Sequence, residues 1–236
     1  MILYFLRIFS TLLYHTSMKY LSTVLLAILS ISTFAQNSQF ELGIQGSPGI
    51  AFMRINTHKA KVTNTPMASF SYGLFLQYNL NKTFSLRVDP SFERKGYIYN
   101  VTFTNQFGSL DGASKNHENF NYITIPILLR AAVGNKIRYF INAGPYIGFL
   151  LSQKTTYTAS NDLKFVYNNT NSYKTTDLGI TAGIGLSIPI KDKFALSVEA
   201  RNNIGLINIR KSSNSNDKIF SANLLIGFAY KFGSKK

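Results

Sequence analysis

FSANLLIGFAYKF, residues 220–232, is the stretch whose reading decides the fold. Phe220, Ala222, Leu224, Ile226, Phe228, Tyr230 and Phe232 fall on one face, and Ser221, Asn223, Leu225, Gly227, Ala229 and Lys231 on the other. A period of two is that of a β-strand, whose successive side chains point to opposite faces. The run is also longer than an ordinary strand of about five or six residues. Working back along the chain, the same alternation covers residues 194–201, 177–188, 138–151, 122–133, 84–93, 67–80 and 40–52. No helical periodicity is sustained among them, so the chain is read as eight strands.

Alternation alone also fits a soluble barrel with its apolar face inward. Side-chain size argues against that. The apolar faces carry bulky Phe, Leu, Ile and Tyr, whereas the opposite faces are rich in Gly and Ser. An eight-stranded barrel is just wide enough inside for side chains to fill, so the bulky set belongs outside, against lipid. The acids follow the small residues. Glu41, Asp89, Glu93, Asp177 and Glu199 share the inward face with Arg87, Arg130 and Arg201. Charges persist in such an interior only when paired, so these residues are expected to form a barrel-interior charge network. Its competing reading is a narrow ion path.

The connections agree with a membrane barrel. Short turns are expected at 79–82, 134–136 and 191–193, alternating with long polar loops near 54–66, 95–120, 152–176 and 207–218. Outer-membrane barrels combine short periplasmic turns with longer extracellular loops. Outward aromatics gather near the turns (Tyr78, Phe84, Tyr139, Phe194, Tyr230) and again near the loops (Phe52, Phe70, Phe92, Phe149, Phe220), as two interfacial girdles would. The fold class is therefore an all-β, eight-stranded antiparallel up-and-down transmembrane β-barrel.

Composition fits. Of 236 residues 15% are charged, against roughly a quarter in soluble domains, and there is no cysteine to support disulfide or thiolate chemistry. From Met18 the chain reads as a secretory signal: Lys19, an uncharged apolar run from Tyr20 to Phe34, then Thr33-Phe34-Ala35 at the cleavage site. Cleavage is expected after Ala35, so residues 1–35 are an extension plus signal peptide and 36–236 the barrel. A membrane anchor is the competing reading, but the run is somewhat short of the about 20 apolar residues a spanning helix needs. Met1–Ser17 carry only Arg7 as a charge, and the signal is complete without them, so translation is expected to start at Met18.

No catalytic, cofactor-binding or metal site is expected. His15 lies before the signal peptide, His58 and His117 are expected in separate loops without carboxylate or Cys partners at ligand spacing, and no Gly-x-Ser-x-Gly elbow occurs. A lipid-acting barrel enzyme would need His117 with Ser114 or Ser109. Gly183-x-Gly185 lies mid-strand and opens no helix, so it is read as close packing rather than phosphate binding. Net charge is +15. The cations assigned to loops (Arg54, Lys59, Lys61, Lys95, Lys115, Lys154, Lys164, Lys174, Arg210, Lys211, Lys218) read as a solvated surface, or as a set that grips lipopolysaccharide phosphates. Their spread over all loops of an exported chain excludes nucleic acid as partner.

Several segments together resemble the PorT-like outer-membrane β-barrel family of Bacteroidetes: Tyr122-Ile123-Thr124-Ile125-Pro126-Ile127-Leu128-Leu129, Gly144-Pro145-Tyr146-Ile147-Gly148, Asp177-Leu178-Gly179 with Gly183-Ile184-Gly185, Glu199-Ala200-Arg201 and the closing aromatic strand. The resemblance implies a barrel in the outer membrane, no shared catalytic residues, and for some members a link to a secretion apparatus. A structural or interaction role with surface-exposed loops is expected. The alternative is transport, as a narrow pore or an accessory barrel of a secretion system. Expected partners are outer-membrane lipid, with lipopolysaccharide or secretion-system proteins beside it.

Overall fold

A computed structural model describes residues 40–57, 65–104, 110–158, 163–191, 193–212 and 215–232. The expected signal peptide and its cleavage site lie outside them, as do Lys59, Lys61 and Ser109. The strands are β1 (Phe40–Thr57), β2 (Thr65–Asn79), β3 (Phe84–Val88), β4 (Ser91–Thr104), β5 (Leu110–Val133), β6 (Arg138–Thr158), β7 (Lys164–Asn168), β8 (Thr176–Ile190), β9 (Phe194–Gly205) and β10 (Ser215–Phe232).

Every pairing is antiparallel, and the ring runs β1, β2, β3/β4, β5, β6, β8, β9, β10 and back to β1. β3 and β4 are one staff broken at Asp89–Pro90, since each pairs with β2 on one side and β5 on the other. Proline brings no N–H to a ladder, and the ladder is carried past the break by Leu74 N–H to Pro90 O and Asp89 N–H to Pro126 O. Eight positions thus close the wall, and closure leaves no unpaired ladder in hydrocarbon. β7 stands outside the ring, paired to the far end of β6.

The turns are where the sequence places them. At the β2–β3 turn, Asn81 Oδ1 accepts the N–H groups of Thr83 and Phe84, both at 2.8 Å. Gly134 opens the β5–β6 turn with φ +106°, a conformation side chains disfavour.

The faces lie as the size argument requires. Ile44, Val133 and Ile184 are 61%, 64% and 65% exposed, while Arg87, Asp89 and Glu93 are buried. The aromatics pair across strands into two belts: Phe40 with Tyr78 and Phe194 with Tyr230 near the turns, Phe52 with Phe220 and Phe70 with Phe92 at the other edge.

The long loops are a correction. Residues 95–104 and 110–120 are paired strand of β4 and β5, and 152–158 with 164–168 form the β6–β7 hairpin. Strands therefore continue well beyond the about 9–11 residues that cross a membrane. The reason lies in β5, where the alternation persists but its polarity exchanges. From Val133 back to Ile123 the outward residues are apolar; beyond, they are Asn121, Asn119, His117 and Lys115. Inside, the reverse occurs. Phe120, Tyr122, Tyr97, Leu150, Tyr173, Ile209 and Ile219 form an apolar core where water, not lipid, surrounds the wall. A single extra residue, Leu151, marks the junction in β6: Asn121 pairs with Ser152 but Tyr122 with Leu150. Such a bulge adds a residue to one strand and resets its facing.

Candidate functional site

Within the apolar band the described lumen carries charged and amide side chains in two groups. The first sits nearer the turns. Asp89 takes a hydrogen bond from Arg87 Nε at 2.7 Å and pairs with Arg201 Nη1 at 2.8 Å. Arg201 forks onto Glu199 through Nε (2.6 Å) and Nη2 (2.9 Å). Arg130 approaches Glu199 at 3.6 Å and donates to Asn142 Oδ1 at 2.9 Å. Arg87 also donates to Gln45 Oε1 at 2.6 Å and stacks over Phe75, as Arg130 does over Phe140. Planar guanidinium suits both tasks, offering a fork of donors at its edge and a face for aromatic rings.

The second group is built on Glu93. Its carboxylate accepts from Ser221 Oγ (2.6 Å), Thr124 Oγ1 (3.0 Å), Asn223 Nδ2 (3.1 Å) and Asn203 Nδ2 (3.1 Å), tying β4 to β5, β9 and β10. Lys95 Nζ lies 3.2 Å from Glu93 and 3.9 Å from Asp177, which also accepts from the Tyr146 hydroxyl at 2.8 Å. The ammonium is near both carboxylates and also lies over the Tyr146 and Tyr122 rings, 4.9 and 5.5 Å from their centroids.

Of the residues expected from the sequence, Arg87, Asp89, Arg130, Glu199 and Arg201 are brought together. Glu93 and Asp177 join the second group. Glu41 stays apart at the turn-end mouth, where Asn79 Nδ2 donates to it at 3.0 Å. Lys95, read as a loop cation, is instead fully buried in the second group. Its position is legible once β4 is extended, because 93, 95 and 97 share one face. The sequence places Ser221 and Asn223 on the inward face but gives neither them nor Gln45 and Asn203 a partner, since uncharged polar residues on a small-residue face carry no distinguishing pattern. The glycine pair has the expected packing role: a Cβ at Gly183 would meet Glu199 Oε1, and one at Gly185 would meet the Phe140 ring. Ser114 donates to Asn116 Oδ1 on the inward face of β5, whereas His117 belongs to the outward one, so the wall separates that pair. Among the described residues no group of three or more His, Asp or Glu could hold a metal.

Comparison with known proteins joins this geometry to a family. The family described as the outer membrane protein beta-barrel domain matches residues 34–211, which run from before β1 to beyond β9. The chain belongs to that family. OprG from Pseudomonas aeruginosa is similar at 13% identity over 82% of this chain and 96% of its own, with a TM-score of 0.41. Neisserial surface protein A is similar at 12% identity, over 83% and 98%, with 0.40. Ail of Yersinia pestis is similar at 13% identity, over 82% and 99%, with 0.37. Curated protein sequences give no match.

In this outer-membrane barrel the charges are sorted by face. Among the described side chains the carboxylates Glu41, Asp89, Glu93, Glu118, Asp177, Glu199 and Asp217 are all buried. Arg54, Arg94, Lys115, Lys154, Lys164, Lys174 and Lys211 are exposed. Among the described side chains the excess positive charge therefore resides on the outer surface.

Glu118 is the acid above the apolar band whose environment is least accommodating. Burial pushes its carboxyl up to about 7; the Thr155 hydrogen bond and the Arg210 charge oppose this, and Asp217 adds to it. Gln153 Nε2 donates to it, and among the described residues no cation lies within ion-pair distance. The sign follows from linkage. A carboxyl held above its usual value contributes stability below about pH 4.5 that is lost as pH rises through about 7. Amide exchange along β5 and β6 above Tyr122, corrected for intrinsic rates, should be at least about tenfold faster relative to the rest of the barrel at pH 8 than at pH 5. Glu118→Gln should abolish that difference. An unchanged difference in the variant would assign the effect to another group.

Proposed function

We propose that this protein is a sealed barrel of the outer membrane, with a structural or interaction role and no catalytic activity, whose protruding hairpins do the recognising. The observation that carries this reading is the lumen. Two buried charge groups and an apolar core above them occupy it, and the turn-end mouth beside Glu41 and Arg130 leaves about 20 Å³, room for roughly one water. A rigid, closed wall suits a scaffold for binding segments. The β6–β7 hairpin supports the second half of the reading. Phe165, Val166 and Tyr167 are about half exposed or more on a strand that stands outside the ring, which is uncommon unless something docks there.

In this reading the signal peptide is cleaved after Ala35, the barrel proper is residues 36–236, the turns face the periplasm and the hairpins face outward. The finer likeness to PorT-like barrels, carried by the motifs around Tyr122–Leu129 and Gly144–Gly148, belongs to the same proposal. Partners are outer-membrane lipid, with lipopolysaccharide or proteins of a secretion system as candidates at the hairpin end.

The test uses protein extracted from membranes. Run unheated and boiled on a detergent gel, it should change mobility, as a closed barrel that boiling opens would. Reconstituted in a planar bilayer, it should give no sustained conductance. Steady openings would overturn the sealed lumen in favour of a narrow pore, and co-purification with secretion proteins would favour an accessory barrel. A soluble protein without a mobility shift would mean that the two faces are reversed.

A further inference from the structure

An open groove of about 500 Å³ lies on the outer wall, level with the upper edge of the apolar band. Ala68 and Phe70 of β2 form its lower lip, while Arg94, His117 and Lys164 contribute from β4, β5 and β7. We propose that this groove binds the phosphate group of an anionic lipid in the leaflet at the hairpin end, which in the orientation argued above is the outer leaflet and its phosphorylated glycolipid.

The level is set by the strand pattern. Phe70 and Phe92 meet at a tilt in the aromatic belt, and Arg94 is the next outward residue above Phe92. A lipid seated there would put its acyl carbons against the apolar lip and its headgroup among the cations. The site is also held in place. Arg94 Nε and Nη2 both donate to Asn119 Oδ1, at 3.1 and 2.7 Å, which fixes the guanidinium without neutralising it. Arginine has five N–H donors, so further donors remain for phosphate oxygens, the geometry it matches best.

The cations here lack counter-charges among the described residues. Among the described residues no carboxylate lies within ion-pair distance of Arg94, His117 or Lys164, since the described acids face the lumen. His117 feels the crowding: burial first, then the charges of Lys115 and Lys164, hold its imidazole below the usual range. A bound phosphate would oppose that effect, and by reciprocity protonation of His117 would tighten the phosphate. The pairing of the wall is irregular in the same place. β2 and β4 lose register between Pro66 and Phe70, the stretch that supplies the lip.

The experiment follows the His117 ring by NMR in the full barrel in neutral detergent micelles, with His117→Gln for assignment. Lipopolysaccharide with its lipid phosphates should raise the His117 titration midpoint and bind about tenfold or more tightly than the same lipid after phosphatase treatment, the scale of one or two charge-assisted bonds. The double variant Arg94→Gln, Lys164→Gln should lose that preference while keeping the heat-dependent mobility of the parent. Equal binding of both lipids, or an undiminished preference in the double variant, would overturn the inference. Equal response to inorganic phosphate would also overturn it, by making the site one for free anions. Loss of heat-dependent mobility in the parent protein would instead count against the membrane barrel itself.

Discussion

Asp89→Ala should lower the stability of the folded barrel by about 3–5 kcal/mol, the cost of leaving a buried charge without its partner. Asp89 is fully buried and lies between two guanidiniums, Arg87 at 2.7 Å and Arg201 at 2.8 Å. Removing it leaves two cations facing each other where water cannot easily replace the carboxylate. The measurement is the urea midpoint of barrels folded into lipid vesicles, read by gel mobility before heating. Adding Arg87→Met to Asp89→Ala should recover much of the loss, because a Met in that place keeps an apolar stem against Phe75, over which Arg87 now stacks. High salt should alter the parent little, since ions screen exposed pairs far better than buried ones. A loss under about 1 kcal/mol, typical of exposed pairs, would mean that solvent reaches Asp89 and the lumen is not sealed.

Gly144→Ala should be nearly as damaging, for a steric reason. A Cβ at Gly144 would sit 1.9 Å from the carbonyl oxygen of Ile127 and 3.0 Å from its carbon. Both are backbone atoms of β5, so no rotamer change relieves the contact. The ladder has no direct partners between Pro126–Tyr146 and Leu129–Ala143, and here β5 leans over the glycine. Forcing the strands apart should cost about 3 kcal/mol, the upper end for overpacking. Gly46→Ala is the matched control: its Cβ would meet Ser71 O at 3.7 Å, an ordinary contact. The prediction requires the two substitutions to differ; equal urea midpoints would show that β5 can shift freely.

Much of the wall was legible because alternation is local and side-chain volume is a physical constraint. Bulky outward residues beside Gly and Ser on β8 and β10 left one consistent choice of faces, and the turns at 79–82 and 134–136 followed. The hairpin extensions were not legible by that rule. It sought an apolar outward face, and beyond Ile123 the outward face of β5 is Asn121, Asn119, His117 and Lys115, so strand was read as loop. The alternation itself never stopped; the surroundings changed from lipid to water, and the pattern inverted with them. Lys95 was misplaced for the same reason. The charge groups were partly legible, as acids and arginines in phase on neighbouring strands. Which carboxylate meets which cation depends on strand register across the lumen, and Glu41, in phase with the rest, ends at the mouth.

The inversion also fixes how deep the barrel sits. Residues 123–133 of β5, at strand rise and barrel tilt, span roughly 25 Å, the height of an outer-membrane apolar band. Immediately beyond that height come Arg54, Arg94, Lys154 and Lys218. Sinking the barrel would carry these cations toward hydrocarbon, at a cost that climbs to about 2–4 kcal/mol each at the midplane. Raising it would expose the apolar wall to water. A thicker bilayer must therefore thin around this protein rather than swallow it. The hairpins stand at a constant height above the lipid surface, however the membrane around them varies.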